Sequence, residues 1–388
     1  MKILIVGAGI GGLSCALALR KFGHEVVIVE KRASFEPVGA GIVLAQNGRG
    51  VLEWLGVELA NTGRVLASMR VADEHDRTIS SIDFGSQAPT RPVAISRAAL
   101  HHCLLAALQG STKVHVGVSL TGLEESNEGV VVAWSEASAG EMRLPTEFDL
   151  VVGADGIHSQ IRRFTNPQVE LHYSGTTCYR GLMPNPGISQ AAEFWGGAVR
   201  AGVVPIEGDQ LYYFLVHRVA ANEPRLTWPA AFLEQFDRLR HRGDASLLFR
   251  HLNHAPPLHH DLFELDRVVW GRARTILIGD AAHALTPNQG QGAGMAIEDA
   301  LALSLALRNG IAGALPRFVK MRDDRVQKIK RDSARFGRLA HIEVPIARRT
   351  LGWVMTRLPK SFAQSQMEAI VGPGRELVDA AIRCSQGR

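Results

Sequence analysis

The chain has 388 residues, 46% hydrophobic and 21% charged, with a net charge of +5. This composition excludes a disordered or fibrous chain, and the length exceeds one ordinary core, so two domains interleaved in sequence are expected. No aromatic-interleaved basic stripe occurs, which argues against a nucleic-acid partner, and the basic residues between Arg317 and Arg357, interrupted by Asp323, Asp324 and Asp332, are expected to form a solvated helical face.

Cys15, Cys103, Cys178 and Cys384 lie far apart without a CxxC, so neither a disulfide framework nor a zinc knuckle is expected, and a cytoplasmic location fits. The opening MKILIVGAGIGGLSCALALRKFG imitates a signal peptide, but its glycines at 7, 9, 11 and 12 argue otherwise. No segment has the uncharged apolar length of a membrane span.

In chain order, Lys2 to Val6 predicts a buried strand, Leu13 to Phe22 a helix and Glu25 to Glu30 a second strand, forming a βαβ unit. Gly7, Gly9 and Gly12 hold the GxGxxG places between strand and helix. Gly7 permits the tight turn, Gly9 lets the backbone approach a pyrophosphate, and Gly12 lets helix and strand pack closely. Glu30 is placed to accept from a ribose 2′-hydroxyl and disfavours an extra phosphate, so FAD or NAD fits better than NADP.

Between Val65 and Ile95 short alternating stretches, broken by Gly85, Pro89 and Pro92, predict antiparallel strands of another domain, and Ser96 to Leu108 returns to helical spacing. Val114 to Trp134 predicts a strand, a connection and a hairpin strand. Phe148 to Gly153 is a buried strand of the first domain, and it delivers Asp155-Gly156, Ser159 and Arg162 at a helix start. From Tyr173 to about Asp266 strands recur, joined by the helix WPAAFLEQFDRL. Thr275 to Gly279 is one more buried strand, followed by Asp280 to Pro287, Gly290-Gln291-Gly292 and a helix over Met295 to Leu307, and the rest is helical. An aspartate at 280 closing a buried strand would be costly to leave unpaired, and ligand hydroxyls would satisfy it. Glycines at 290, 292 and 294 would let backbone amides approach a ring.

These three motifs, in this order, resemble the class A flavoprotein monooxygenases, the family of p-hydroxybenzoate hydroxylase, over about residues 1 to 355. The resemblance implies an α/β fold: a Rossmann-like FAD-binding domain of the glutathione-reductase type from residues 1–70, 96–173 and 268–320, an interleaved β-sheet substrate domain from 71–95 and 174–267, and a helical C-terminal segment, 321–388. It implies FAD held by Gly7, Gly9, Gly11, Gly12, Glu30, Lys31, Arg32, Gly41, Arg97, Asp155, Gly156, Arg162, Gly279, Asp280, Pro287, Gly290, Gln291, Gly292 and Ala293, with the Asp155 segment also serving NAD(P)H.

In the implied reaction NADH or NADPH reduces FAD, O2 adds, and the C4a-hydroperoxide passes oxygen to a small, electron-rich aromatic or heteroaromatic substrate. Epoxidation, Baeyer–Villiger oxidation, reduction and a non-catalytic binding protein are alternatives on the same fold, and the WxWxIP segment of halogenases is missing. Arg200 resembles a pocket arginine that would hold a phenolate or carboxylate, against a surface ion pair. Arg180 has the same status. Tyr212 and Tyr213 point to opposite faces of one strand, so at most one enters the pocket, and a core tyrosine is the competing reading for either. His283 is read as a supporting group near the flavin or as a base. His251, His254, His259 and His260 lack carboxylate support and helical order, so no metal is expected. No nucleophile elbow occurs. A monomer or homodimer is expected.

Overall fold

The computed structural model describes residues 1–35, 40–59, 62–85, 91–108, 110, 112–135, 144–221, 223, 226–252 and 256–386. Two of the expectations, Pro89 and His254, lie outside them.

The first of the two large sheets has the spatial order Gly271–Arg272, Thr275–Leu277, Leu150–Gly153, Lys2–Val6, Glu25–Glu30, Val114–Val116. Its strands run parallel except for the short first pair. Ile3, Leu4, Ile5, Leu150, Val151, Val152, Ile276 and Leu277 are all buried, the unbroken apolar pattern of strands covered on both faces. Helix Ile10–Lys21 packs between helices Arg97–Leu108 and Gly292–Leu307. The latter is buried almost all round, as an apolar sequence such as MAIEDALALSLAL requires.

The second sheet has the order Leu258–Leu265, Leu171–Pro184, Gln210–Arg218, Val199–Pro205, Ala191–Trp195, Ser68–Asp73, Thr78–Asp83. It is antiparallel except where Ala191–Trp195 meets Ser68–Asp73. Side chains alternate strictly between its faces. Tyr179, Phe194, Val199, Ala201, Val203, Leu211, Tyr213 and Leu215 form a core with Phe232, Phe236, Leu248 and Phe249 from the helical segment beneath. The opposite parity, with Arg180, Glu193, Arg200 and Tyr212, faces the loops of the first sheet: Arg200 reaches Asn288, and the Tyr212 ring lies on Gly41.

The seams differ from the sequence boundaries by a few residues. Ser68–Asp73 already belongs to the second sheet, whereas Val93–Ser96 pairs with Gly41–Leu44 and Arg64–Val65 in a small sheet beside the first. The long strand from Leu171 likewise begins inside the segment assigned to the first domain. Alternating short strands look alike in sequence whichever sheet they join.

Helices Ala314–Ala340, Pro345–Met355 and Lys360–Gln386 complete the chain. The first buries Phe318, Arg322, Val326, Ile329 and Ser333 on one stripe. The solvated face expected from Arg317 onward lies opposite this stripe, with Lys320, Lys328, Arg331, Arg335 and Arg338 exposed, but two arginines depart from it. Arg322 is fully buried, and the Arg317 guanidinium donates to the carbonyls of Ala306, Gly310 and Ala312. Charge pattern along one helix does not show what the facing helix offers.

Phe236 is fully buried, with Phe232 and Phe249 rings 5.0 and 6.0 Å away. Phe236→Ala is expected to destabilise the protein by about 3–5 kcal/mol in urea unfolding, through lost contacts and a residual cavity, without lowering the FAD content of the folded fraction.

Candidate active site

Gly7 sits at φ 106°, its N–H donating to the Val29 carbonyl at 2.8 Å, and a Cβ there would stand 2.5 Å from the Ala154 carbonyl oxygen. A Cβ on Gly12 would stand 1.9 Å from the Gly7 oxygen, and one on Gly11 would press on Ala296 at 3.2 Å. Gly9 is the opposite case: nothing lies within 4 Å of its Cβ position, and it leads straight into the first turn of Ile10–Lys21, whose amides favour an anion. The Glu30 carboxylate is anchored by the Ala8 and Arg32 amides, each donating at 3.0 Å, which leaves lone pairs for a ribose diol. Lys31 and Arg32 are exposed beside it. This end fits the pyrophosphate and ribose of FAD.

At the second motif Gly156 adopts φ 78°, Ser159 caps helix Gln160–Thr165, and the half-buried Asp155 lies beside the first turn. Its carboxylate accepts from Ser159 Oγ at 2.5 Å and from the amides of Gln160 and Ile161 at 2.7 and 3.2 Å. Burial raises its pKa against the pull of these donors. The Arg162 guanidinium donates to the carbonyls of Ala281 at 3.0 Å and Ile157 at 2.6 Å. Both side chains were expected to serve the cofactor. The structure engages them in protein hydrogen bonds that lock the second motif to the third.

At the third motif Gly279 (φ 58°) precedes Asp280, whose side chain is exposed. The buried strand ends here, and Asp280 faces outward, available to the ligand hydroxyls expected to satisfy it. Pro287 begins the turn Pro287–Gln289, and Gly290 follows at φ 64°. Gly290 and Gly292 are open at their Cβ positions, Gly292 meeting only Asp280 Oδ1 at 3.9 Å, with Ala293 half-buried next to it. A Cβ on Gly294, in contrast, would lie 2.9 Å from Asn47 Nδ2, so packing alone requires that glycine.

Beneath this loop lies a buried polar network. Asp299 Oδ2 accepts from the Gly279 amide at 2.9 Å and faces His283 Nε2 at 2.6 Å, while its Oδ1 meets Arg322 Nε at 2.7 Å. Glu298 takes Arg322 at 2.5 Å, Arg325 at 2.6 Å through both oxygens, and Asn47 Nδ2 at 2.7 Å. Asn47 Nδ2 also reaches Gln291 Oε1 at 3.1 Å. Burial pushes the Asp299 carboxyl up, but His283 and Arg322 outweigh it and hold it down at about 2. His283 is buried against Trp270. That corrects its place among the catalytic candidates: it supports the loop from the core side.

Sequence reasoning missed Asn47, Glu298, Asp299, Arg322 and Arg325. The signal was two adjacent carboxylates inside an apolar helix and an arginine on an apolar stripe.

On the sheet facing this loop, Arg200 is buried, with Nη1 3.2 Å from Glu193 and Nη2 donating to Asn288 Oδ1 at 2.8 Å. It is thus neither a surface pair nor an open guanidinium. It joins the sheet to the turn after Pro287. Tyr213 lies in the core on the other face, as alternation dictates. Tyr212 seats its ring where a Gly41 Cβ would be, so Gly41 serves the sheet contact. Its phenol is pushed up by burial, against the pull of Arg180, with which it hydrogen-bonds, and Arg97. Burial and the like charge of Arg180 lower the Arg97 pKa, Asp280 opposing them, while one side of Arg97 stays exposed. Arg180 and Tyr212 on the second sheet therefore lie against the paired strands Gly41–Leu44 and Val93–Ser96, where the Arg97 amide donates to the Ala40 carbonyl at 2.9 Å.

The sequence matches the family described as FAD binding domain over residues 1–319. The chain belongs to that family. It is an FAD-dependent monooxygenase of the class A kind. This flavoprotein is 35% identical over 362 residues to a 2-heptyl-3-hydroxy-4(1H)-quinolone synthase of Pseudomonas aeruginosa (strain UCBPP-PA14), covering 89% of this chain and 91% of that one. It is 31% identical over 361 residues to an FAD-dependent urate hydroxylase of Klebsiella pneumoniae subsp. pneumoniae, covering 85% and 88%. The crystal structure of Klebsiella pneumoniae HpxO complexed with FAD and uric acid superposes with a TM-score of 0.84 at 25% identity, covering 96% of this chain and 97% of that one.

Arg322→Met would leave Glu298 and Asp299 short of a buried partner, and a loss of about 3–5 kcal/mol is expected in thermal unfolding, with weaker FAD retention. The Asp299 pKa lies below the ordinary 3.8, so its contribution is complete above about pH 4 and is lost as pH falls through about 2. Chemical denaturation of Asp299→Asn across this range is expected to show a flatter dependence of stability on pH than the parent.

Proposed function

We propose that this monooxygenase uses NADH or NADPH, FAD and O2 to hydroxylate a small planar aromatic or N-heteroaromatic substrate that binds as an anion, in the cleft between the Arg180–Tyr212 face of the second sheet and the Asp280–Ala293 loop. The parallel sheet with its three motifs is the FAD domain in this reading, and the mixed sheet is the substrate domain. The observation that carries the reading is the seating of Tyr212, hydrogen-bonded to Arg180, on Gly41 beside Arg97, with Asp280 outward-facing on the loop of the first sheet. A net positive, partly buried cleft favours a deprotonated hydroxy- or oxo-ring, which is the more electron-rich form. The names of the relatives, a quinolone synthase and a urate hydroxylase, agree with substrates of that chemistry.

FAD, when bound, supplies the redox chemistry with oxygen. The chain's own residues orient the ring and exclude water. With its pKa raised by burial, Tyr212 stays protonated at neutral pH and can donate to a ring oxygen while Arg180 neutralises it. Leu182, Val204 and Phe214, on the same face of the sheet, give the cleft an apolar wall. No helix among the described residues is long and apolar enough to cross a membrane, and we place the enzyme in the cytoplasm as a monomer or homodimer.

The test is flavin reduction by NADH and NADPH in the presence of hydroxyquinolines, quinolones, urate and hydroxybenzoates. One class is expected to accelerate reduction and yield a product with one added oxygen. Arg180→Met is expected to lower kcat/KM for it by roughly 10- to 100-fold with FAD content unchanged, the loss of one charge-assisted hydrogen bond. Unaltered kinetics in Arg180→Met and Tyr212→Phe would overturn this placement of the substrate.

A further inference from the structure

Helix Pro345–Met355 contains isoleucine, leucine, tryptophan, valine and methionine, yet none of its residues is buried. It is held from one side, where Gly352 packs near Ile79 and Arg348 pairs with Glu74 at 2.5 Å, beside the edge strand Thr78–Asp83. Its other side points outward. Ile346 is 76% exposed and Trp353 58%, one above the other at a spacing of seven residues, with Val354 on their flank. Val344 before the helix and Leu358 and Phe362 after it are exposed too and lengthen the patch. Single exposed apolar residues need no explanation, but six of them gathered along one helix and its two ends do.

Exposed arginines flank the patch. Arg338, Arg349 and Arg357 are exposed, and the Arg357 guanidinium lies over the Trp353 ring, 4.0 Å from its centroid. The acid nearest in sequence, Glu343, faces Arg218. A two-fold contact between copies of this face would gather the arginines of both copies in one interface, at a like-charge cost. An anionic surface meets no such cost. Outward apolar residues, a tryptophan and flanking arginines together are the make-up of a helix that lies in the headgroup layer of a bilayer without spanning it.

We propose that helix Pro345–Met355, with Leu358 and Phe362, is a peripheral membrane contact that adsorbs this enzyme to bilayers containing anionic lipid. Apolar insertion and headgroup attraction act together, so adsorption weakens with salt. The proposal is independent of which ring the enzyme oxidises.

The experiment is flotation of the FAD-loaded enzyme with phosphatidylcholine vesicles, and with vesicles in which about a third of the lipid is phosphatidylglycerol. The enzyme is expected to float with the anionic vesicles at low salt and to be released as salt rises. The doubly substituted Ile346→Ser, Trp353→Ser protein, altered only at exposed positions, is expected to lose about tenfold or more of this binding while oxidising NAD(P)H at the parent rate. Absence of flotation at low salt would overturn the proposal, as would undiminished binding by the variant. So would a concentration-dependent dimer of the parent, seen by analytical ultracentrifugation and lost in the variant, because the face would then belong to a second copy.

Discussion

Two carboxylates placed side by side in an apolar helix set the terms for much of this molecule. Glu298 and Asp299 are completely buried, and without compensation two such charges would cost several kcal/mol each. Arg322 and Arg325 neutralise them from the long helix that follows, while Asn47 and His283 take the remaining hydrogen bonds. Since Asp299 also accepts the Gly279 amide, the neutralising arginines hold the start of the flavin-side loop in place. Helix Ala314–Ala340 thus supports the Gly279 turn from the core side.

The loop is fixed from two further directions. Arg162 ties it to the Asp155-Gly156 turn through the Ala281 carbonyl, and Arg200 ties the turn after Pro287 to the second sheet through Asn288. Arginine suits both tasks because its planar fork can engage two acceptors at once. Strand alternation then decides the chemistry of the cleft. The parity that buries Tyr213 with the phenylalanines is the parity that presents Tyr212 and Arg180 to the facing loop.

What the sequence made legible were the places where geometry demands a residue type. Gly7 needs a left-handed φ and Gly12 needs the absence of a Cβ, so glycine at those positions after an apolar strand announced the fold. Tyr212 and Tyr213 were separable by parity alone. The pairings between distant residues were hidden: nothing local says that Arg322 meets Glu298 or that Arg200 meets Glu193. Arg180 and Arg200 looked equivalent on paper, and only the presence of Glu193 and Asn288 beside Arg200 separates them.

The register of the parallel sheet bears on how the protein is made. Strand Lys2–Val6 is flanked by Glu25–Glu30 and Leu150–Gly153, with Ile3 opposite Leu150, and the latter strand is in turn closed by Thr275–Leu277. During synthesis at about 5–20 residues per second, the first strand therefore waits roughly 7 to 30 s for its second neighbour to be made. Throughout that interval the strand has Glu25–Glu30 on one side only, its other apolar edge is uncovered, and pairing across so long a loop is intrinsically slow. The glycine-rich turn after the first strand is therefore made long before the Asp155-Gly156 and Gly279-Asp280 turns that stand beside it in the finished sheet.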